Sequence, residues 1–192
     1  TLEPSSAASD VYKRQGVVTA TLAADSLSNL ESLSTSSTDA ITLSVNDGEG
    51  ATRAATDLST LGGKTSGTVT VSNAINITGD TAGATAALVT AGTKVVASSA
   101  TVGLSDNPSI TALNNIASVA GVVTATLAAA DTTDLLNLTT TSTDVITVSV
   151  SDTPSIANLN TIAGKTAGVV TATLAAADTT DLLNLTTTST DV

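Results

Sequence analysis

Apolar and polar positions alternate along residues 122–128, VVTATLA, placing Val123, Ala125 and Leu127 on one side and Thr124, Thr126 and Ala128 on the other. β-Branched residues at period two predict a strand with one buried face. The period then changes. Asp131 stands where a helix N-cap belongs, Asp134 adds charge in the first turn, and Leu135, Leu136 and Leu138 supply the apolar side of a short helix. Residues 139–144 form a polar connection, after which the alternation returns. Ile146, Val148 and Val150 share one strand face, and Thr147, Ser149 and Ser151 the other. Thr153-Pro154 predicts a second helix start, with Thr as cap and Pro at the first helical position. Ile156, Leu159 and Ile162 recur every three residues along it, Gly164 is the expected C′ residue, and Lys165 sits beside the negative end of the helix.

This strand-then-helix pattern is periodic. Residues 121–145, GVVTATLAAADTTDLLNLTTTSTDV, return unchanged at 168–192, an offset of 47 residues, and a diverged copy opens at Gly16. Self-similarity at a fixed period is the signature of a repeat architecture. The 47-residue unit divides into two halves, and the earlier chain fits the same template with longer connections. Residues 40–66 carry strand positions Ile41, Leu43 and Val45, a turn over 46–50, a helix over 54–61 and then Gly62-Gly63. Residues 67–94 carry Val69 and Val71, followed by a helical stretch over 81–93. Residues 95–120 have a longer extended stretch, then Asn107-Pro108 opening a helix with Ile110, Leu113 and Ile116. Seven half-repeats of 23 to 28 residues thus span 16–191.

One half-repeat offers about six medium apolar side chains, each stabilising by roughly 1–3 kcal/mol when buried. Ordering its residues costs on the order of 1–2 kcal/mol each. Only stacking on neighbours makes the sum favourable, so 16–192 is expected to be one modular domain without internal linkers. Short strand–helix–strand crossovers imply parallel pairing with right-handed connections. Strands apolar on one face only imply helices on one side of the sheet. The expected fold is therefore α/β: a solenoid with a parallel β-sheet and short helices on one face, laid out as in leucine-rich repeats but without their consensus or Asn ladder. The alternative is a parallel β-helix with no helices, which accounts for the Thr pattern but not for Thr153-Pro154 or the three-residue Ile/Leu spacing.

Composition narrows the function classes. Ser5–Gln15, SSAASDVYKRQ, resembles the frame translation of a transposase sequencing-library adaptor, and residues 1–4 fall where that adaptor carries a variable index. Residues 1–15 are accordingly expected to be an adaptor artefact, disordered, and residues 16–192 a fragment truncated at both ends. Without them the chain keeps Arg53, Lys64, Lys94 and Lys165 against fifteen acidic residues, a net charge of −11. Such a surface repels nucleic acid and anionic membrane. No run approaches the ~18 apolar residues of a spanning helix. His, Cys, Met, Trp and Phe are absent, and a mean hydropathy of +0.34 is too apolar for a disordered chain.

The wording GVVTATLAA, TSTDAITLSV and SIANLNTIAGKT resembles the very long β-strand-repeat proteins of bacterial and cyanobacterial cell surfaces, over the whole of 16–192. That resemblance implies an extracellular or cell-surface location, a structural or adhesive role as stiff spacer, surface-layer element or adhesin stalk, and neighbouring repeats or glycans as partners. It carries no catalytic residues, and the chain is not expected to be an enzyme.

Four patterns bear on chemistry. Gly63-Lys64-Thr65 and Gly164-Lys165-Thr166 end like a phosphate-binding loop, but the required earlier glycine is Leu58 or Leu159, so helix capping is the reading. Asp39, Asp144 and Asp191 stand just before strands at one point of the repeat. They are the calcium candidates, with Asp47, Glu49 and Asp152 as co-ligands, against the alternative of turn capping. Asn76-Ile-Thr78, Asn137-Leu-Thr139 and Asn184-Leu-Thr186 match a glycosylation sequon that carries no weight in a bacterial chain. Finally Thr19/Thr21, Thr42/Ser44, Thr70/Ser72, Thr124/Thr126, Thr147/Ser149 and Thr171/Thr173 lie two apart on outward strand faces. With strands ~4.8 Å apart they predict a two-column hydroxyl grid. Such a face suits either a solvated sheet rich in Thr pairs or an ice- or glycan-binding surface.

Overall fold

The computed structural model describes residues 16–186 and 191–192. The adaptor-like stretch 1–15 and residues 187–190 lie outside the described residues. The elements run β1 (Thr19–Thr21), α1 (Leu27–Leu30), β2 (Ala40–Val45), β3 (Thr52–Ala54), α2 (Ala55–Gly62), β4 (Val69–Val71), β5 (Asn76–Gly79), α3 (Thr81–Leu88), β6 (Val95–Val96), β7 (Thr101–Leu104), α4 (Ile110–Ala117), β8 (Val122–Thr126), α5 (Thr132–Leu135), β9 (Val145–Ser149), α6 (Ile156–Ala163), β10 (Val170–Thr171) and α7 (Thr179–Leu182). The fold is α/β, with parallel sheets and short helices. Every expected half-repeat contains a helix, which a helix-free β-helix would lack.

Each described strand pairs in parallel with a strand of a neighbouring half-repeat, at registers such as Thr19↔Ala40, Leu43↔Val69, Thr101↔Val122 and Val148↔Val170. The strands do not form the single sheet expected. One sheet has the order β1-β2-β4-β6 and the other β10-β9-β8-β7-β5-β3. Residues 40–104 supply a strand to each sheet from every half-repeat. Segment β3 lies between the turn expected at 46–50 and the helix expected from 54, and β5 within a stretch that looks like a polar loop, because each strand is only three or four residues long and alternates too briefly to register as a pattern.

Strand alternation sets the core. Val123, Ala125, Leu127, Ile146, Val148 and Val150 are buried while Thr124, Thr126, Thr147 and Ser149 are exposed, as the pattern predicts. Leu58, Leu61, Leu113, Ile116, Leu135, Leu138 and Ile162 bring the helices onto the same apolar cluster, and Ile156 is half-buried at the start of α6.

Helix starts differ from expectation by two residues. Ser109 and Ser155, rather than Asn107 and Thr153, are the N-caps of α4 and α6, their hydroxyls accepting from the Ala112 and Asn158 N–H groups. The preceding Pro108 and Pro154 are buried outside the helices. Their fixed φ suits the entry as well as the first turn, and a Ser oxygen placed to meet an unpaired N–H decides the boundary. Asp131 does cap α5, as expected, and Asp178 caps α7 alike. Gly164 ends α6 at φ −67°, right-handed, so no left-handed C′ closure occurs there.

Candidate functional site

The recurrent polar residues converge on the seams between successive half-repeats. Asp39 illustrates the plan. Its Oδ1 accepts from the Val18 N–H at 3.0 Å, 21 positions back, and its Oδ2 from the Ser36 N–H at 3.0 Å. These two backbone hydrogen bonds, Val18 first, hold the carboxyl below its ordinary range against an opposing desolvation. Asp144 repeats the arrangement, Oδ1 with the Val123 N–H and Oδ2 with the Thr141 N–H, both at 2.9 Å. Asp191 takes the Val170 N–H at 2.8 Å. In Asp39 and Asp144 one oxygen therefore closes the local turn while the other accepts an N–H at the start of the previous strand segment.

A second row of aspartates serves the helix starts. Asp106 Oδ1 accepts from both the N–H and the hydroxyl of Thr81, the first residue of α3, at 2.8 and 2.7 Å. Asp152 does the same for Thr132, the first residue of α5, at 2.9 and 2.7 Å. The threonine hydroxyl is the main cause of the lowered pKa of each. Asp47 is the buried member of the row. It accepts from the Leu27 N–H at 3.3 Å and holds Arg53 in a fork, Nε to Oδ2 at 2.8 Å and a terminal nitrogen to Oδ1 at 2.6 Å. The Arg53 hydrogen bonds lower the Asp47 pKa most, and Arg53 is correspondingly raised. Asp39, Asp47, Asp144, Asp152 and Asp191 are thus engaged with N–H, hydroxyl and guanidinium donors of the protein, while Glu49 is exposed. They are not gathered at one point: among the described residues no group of three or more Asp, Glu, His or Cys side chains is placed to hold a metal ion.

The glycine–lysine–threonine motifs are seam fasteners. The Thr65 hydroxyl, in a residue 5% exposed, accepts from the Ile41 N–H at 2.8 Å and the Gly67 N–H at 2.9 Å, and lies 2.8 Å from the carbonyls of both Asp39 and Ile41. Thr166 builds the same hub on Ile146, Gly168 and Asp144. The glycine two positions on is required by contact. A Cβ at Gly67 would stand 2.3 Å from the Ile41 carbonyl oxygen, and one at Gly168 would stand 2.4 Å from that of Ile146. Lys64 donates from Nζ to the Leu33 carbonyl at 2.9 Å, and Lys165 to the Leu138 carbonyl, so both lysines cross to the preceding half-repeat as well as standing near their own helix ends. Thr35 and Thr140 donate back to the Lys64 and Lys165 carbonyls at 2.7 and 2.8 Å.

Asparagines form a further device that sequence reading did not single out. Asn114 donates to the Asn137 carbonyl at 2.9 Å and accepts from the Thr139 N–H at 2.9 Å; Asn160 does the same with Asn184 and Thr186, at 2.8 and 2.9 Å. The signal was an asparagine recurring one position after Leu113 and Leu159. Of the sequon asparagines, Asn76 donates to the Gly50 carbonyl, while Asn137 and Asn184 donate to Thr133 and Thr180 one helical turn back.

The hydroxyl face departs from the expected grid. Thr19, Thr21, Thr42, Ser44, Thr70 and Ser72 belong to the run of the first sheet, and Thr124, Thr126, Thr147, Ser149, Thr171 and Thr173 to that of the second. Register follows the buried partners, Ala20↔Ile41, Leu43↔Val69, Ala125↔Ile146 and Val148↔Val170, and it slips by two residues at each step. The second member of one pair therefore opposes the first of the next: Thr21↔Thr42, Ser44↔Thr70, Thr126↔Thr147, Ser149↔Thr171. Thr19 faces Ala40, Thr70 faces Val96 on its far side, and Thr124 lies between Gly103 and Val145. The result is two staircases rather than one two-column grid.

Comparison of the chain with family models, with curated proteins and with solved structures returns no match.

Proposed function

We propose that this chain is a structural repeat segment, an α/β solenoid with short helices on one face of its parallel strands, acting as a stiff spacer, surface-layer element or adhesin stalk of a large secreted or cell-surface protein. The observation that carries the reading is the seam. Asp39, Asp144 and Asp191 each close their own half-repeat on an N–H at its start, and Asp47, Asp106 and Asp152 each satisfy the first helical N–H of the preceding half-repeat. A half-repeat thereby receives its caps from its successor, which is what a linear array of modules requires and what a closed catalytic pocket does not need. The acidic surface and the cell-surface style of the repeat wording support the location. The staircase register favours the spacer over an ice- or glycan-binding grid, because hydroxyl residues stand directly opposite each other only once in β1–β2 and once in β8–β9.

A length series tests it. Chains carrying additional copies of residues 121–167 inserted after Ala167 gain two strands per copy, so small-angle scattering should show the maximum dimension rising by about 10 Å per copy at constant cross-section. Denaturation midpoints should rise with copy number and then level off. A cross-section that grows with copy number, at unchanged length, would overturn the spacer reading.

A further inference from the structure

Five half-repeats are clasped shut by a side chain. Asp39, Asp144 and Asp191 close theirs on the Val18, Val123 and Val170 N–H groups, and Thr65 and Thr166 close theirs on those of Ile41 and Ile146. The two middle ones, 67–94 and 95–120, are built differently. The first ends in Thr93-Lys94, the reverse of Lys64-Thr65 and Lys165-Thr166. The Thr93 hydroxyl turns back onto its own helix end and donates to the Ala86 carbonyl at 2.6 Å. Lys94 is exposed, and among the described residues its ammonium meets no carbonyl or carboxylate. The second has Ser118-Val119 in place of the lysine and threonine. Its Ser118 hydroxyl also turns back, to the Asn115 carbonyl at 2.7 Å, and closure falls to the main chain, from the Gly121 N–H to the Ala100 carbonyl at 2.9 Å.

Residues 89–100 join these two half-repeats, running from the end of α3 to the start of β7. The far end is well anchored: β7 is paired on both sides, by β5 and β8, and the Thr101 hydroxyl bonds to Asn76. The stretch itself holds only β6, two residues at the end of the first sheet, paired with β4. It buries Val95, Ala97 and Ala100, where the clasped strand β9 and the residue after it bury Ile146, Val148 and Val150. Val96 stays 41% exposed. We infer that residues 89–100 form a strap that opens as a local unit while the second sheet and the helices stay folded, making it the place where the array yields first; the yielding role rests on the spacer reading proposed above. Local opening is governed by buried apolar contact and by fixed hydrogen bonds, and the strap is short of both. Its release frees the edge of β4 and leaves the neighbouring levels joined through β5, β7 and β8.

Native-state hydrogen exchange on the full chain tests this. The Ala100 N–H donates to the Ala97 carbonyl at 3.0 Å in a residue 1% exposed, and the Ile41 and Ile146 N–H groups donate to their threonine hubs at 2.8 and 2.7 Å. All three amides are bonded and buried, so a difference in rate reads opening rather than static exposure. Ala100 is expected to exchange roughly tenfold faster or more, at a rate that low urea barely changes, because a local opening exposes little surface. Thr70 and Val96 are register partners on strands ~4.8 Å apart, a span that a disulfide accepts. In a Thr70→Cys/Val96→Cys variant, oxidation should slow Ala100 by roughly tenfold against the reduced form and leave Ile41 and Ile146 as they were. The comparison within the unmodified chain stands without this variant. Ala100 exchanging as slowly as Ile41 and Ile146 overturns the inference. Fast exchange that the disulfide does not slow overturns it as well, since the opening would not then be a parting from β4, and slowing of all three amides alike would mark global opening. If the strap fails while inserted copies still lengthen and stabilise the chain, the spacer reading stands; if the length series fails, that reading falls whatever the amides show.

Discussion

Residues 40–104 and residues 121–171 solve one packing problem at two lengths. In the first region partners lie 24 to 26 positions apart and each half-repeat carries two strands; in the second they lie 21 or 22 apart and each carries one. The helix absorbs the difference in only one of the two shorter half-repeats, since α5 is four residues long while α6 keeps the eight residues of α2, α3 and α4. The extra residues go to the corner between strand and helix. There they add β3, β5 and β7, a left-handed Gly50 at φ 74°, and the Asp47–Arg53 ion pair at 2.6 Å. Lengthening a module at its corner leaves strand register and helix packing in place and moves polar structure outward, whereas lengthening the helix would displace the shared apolar cluster.

A charge in the core puts that comparison under the greatest strain. Val69→Asp in the first region and Val148→Asp in the second both place a carboxylate where exposure is 1%, and each should cost about 4 kcal/mol or more. Hydrogen exchange on each variant tells whether the regions melt together. If the seams bind them into one cooperative unit, protection falls throughout; loss confined to the mutated region would show two units.

The threonine hubs come next. Thr65→Val and Thr166→Val keep the volume but leave the buried N–H groups of Ile41 or Ile146 without an acceptor, at about 1–3 kcal/mol each by urea denaturation. Serine at either position should restore most of the loss. Equal costs would mean that the hub is indifferent to corner length.

Acid should separate the regions at the corner. The folded pKa of Asp47 is depressed, so its contribution is fully present above the ordinary carboxylate value of 3.8 and is lost as pH falls through the lower folded value. Arg53 is a third exposed, so screening holds the pair to about 1 kcal/mol or less. Below pH 4 amide exchange around residues 46–53 should accelerate in the native chain, and Asp47→Asn should remove that pH dependence. The smallest effect is expected of Asn114→Ala and Asn160→Ala, a few tenths to about 1 kcal/mol each, because both bridges lie near solvent.

What could be read in advance follows from the range of the interactions involved. Strand faces at Val123, Ala125, Ile146 and Val148, and helix faces at Leu113, Ile116, Leu159 and Ile162, declare themselves because burial imposes a period on neighbouring residues. Recurrence of Asp39, Asp144 and Asp191 was equally visible, but their partners, Val18, Val123 and Val170, are backbone N–H groups of valines some 21 positions away, which leave no mark in the local sequence. Thr65 and Thr166 are hidden for the same reason: a hub of main-chain groups can be recognised only once the chain has returned on itself. The slip of the hydroxyl columns depends on register, which alternation within one strand does not specify. Asp47 and Arg53 are near in sequence, yet nothing in an Asn-Asp-Gly-Glu-Gly stretch distinguishes a buried fork from a solvated turn.

The seams also bear on how such a gene can change length. Each aspartate looks back about 20 to 25 positions for its partner, and residues 121–145 and 168–192 are the same 25 amino acids. A crossover between two such stretches that adds or deletes one whole unit joins every carboxylate, hub threonine and lysine to a partner identical to the one it had. Misaligned exchange, which scrambles most folds, would here pass through protein folding unpenalised, and a single recombination event could reset the reach of the molecule.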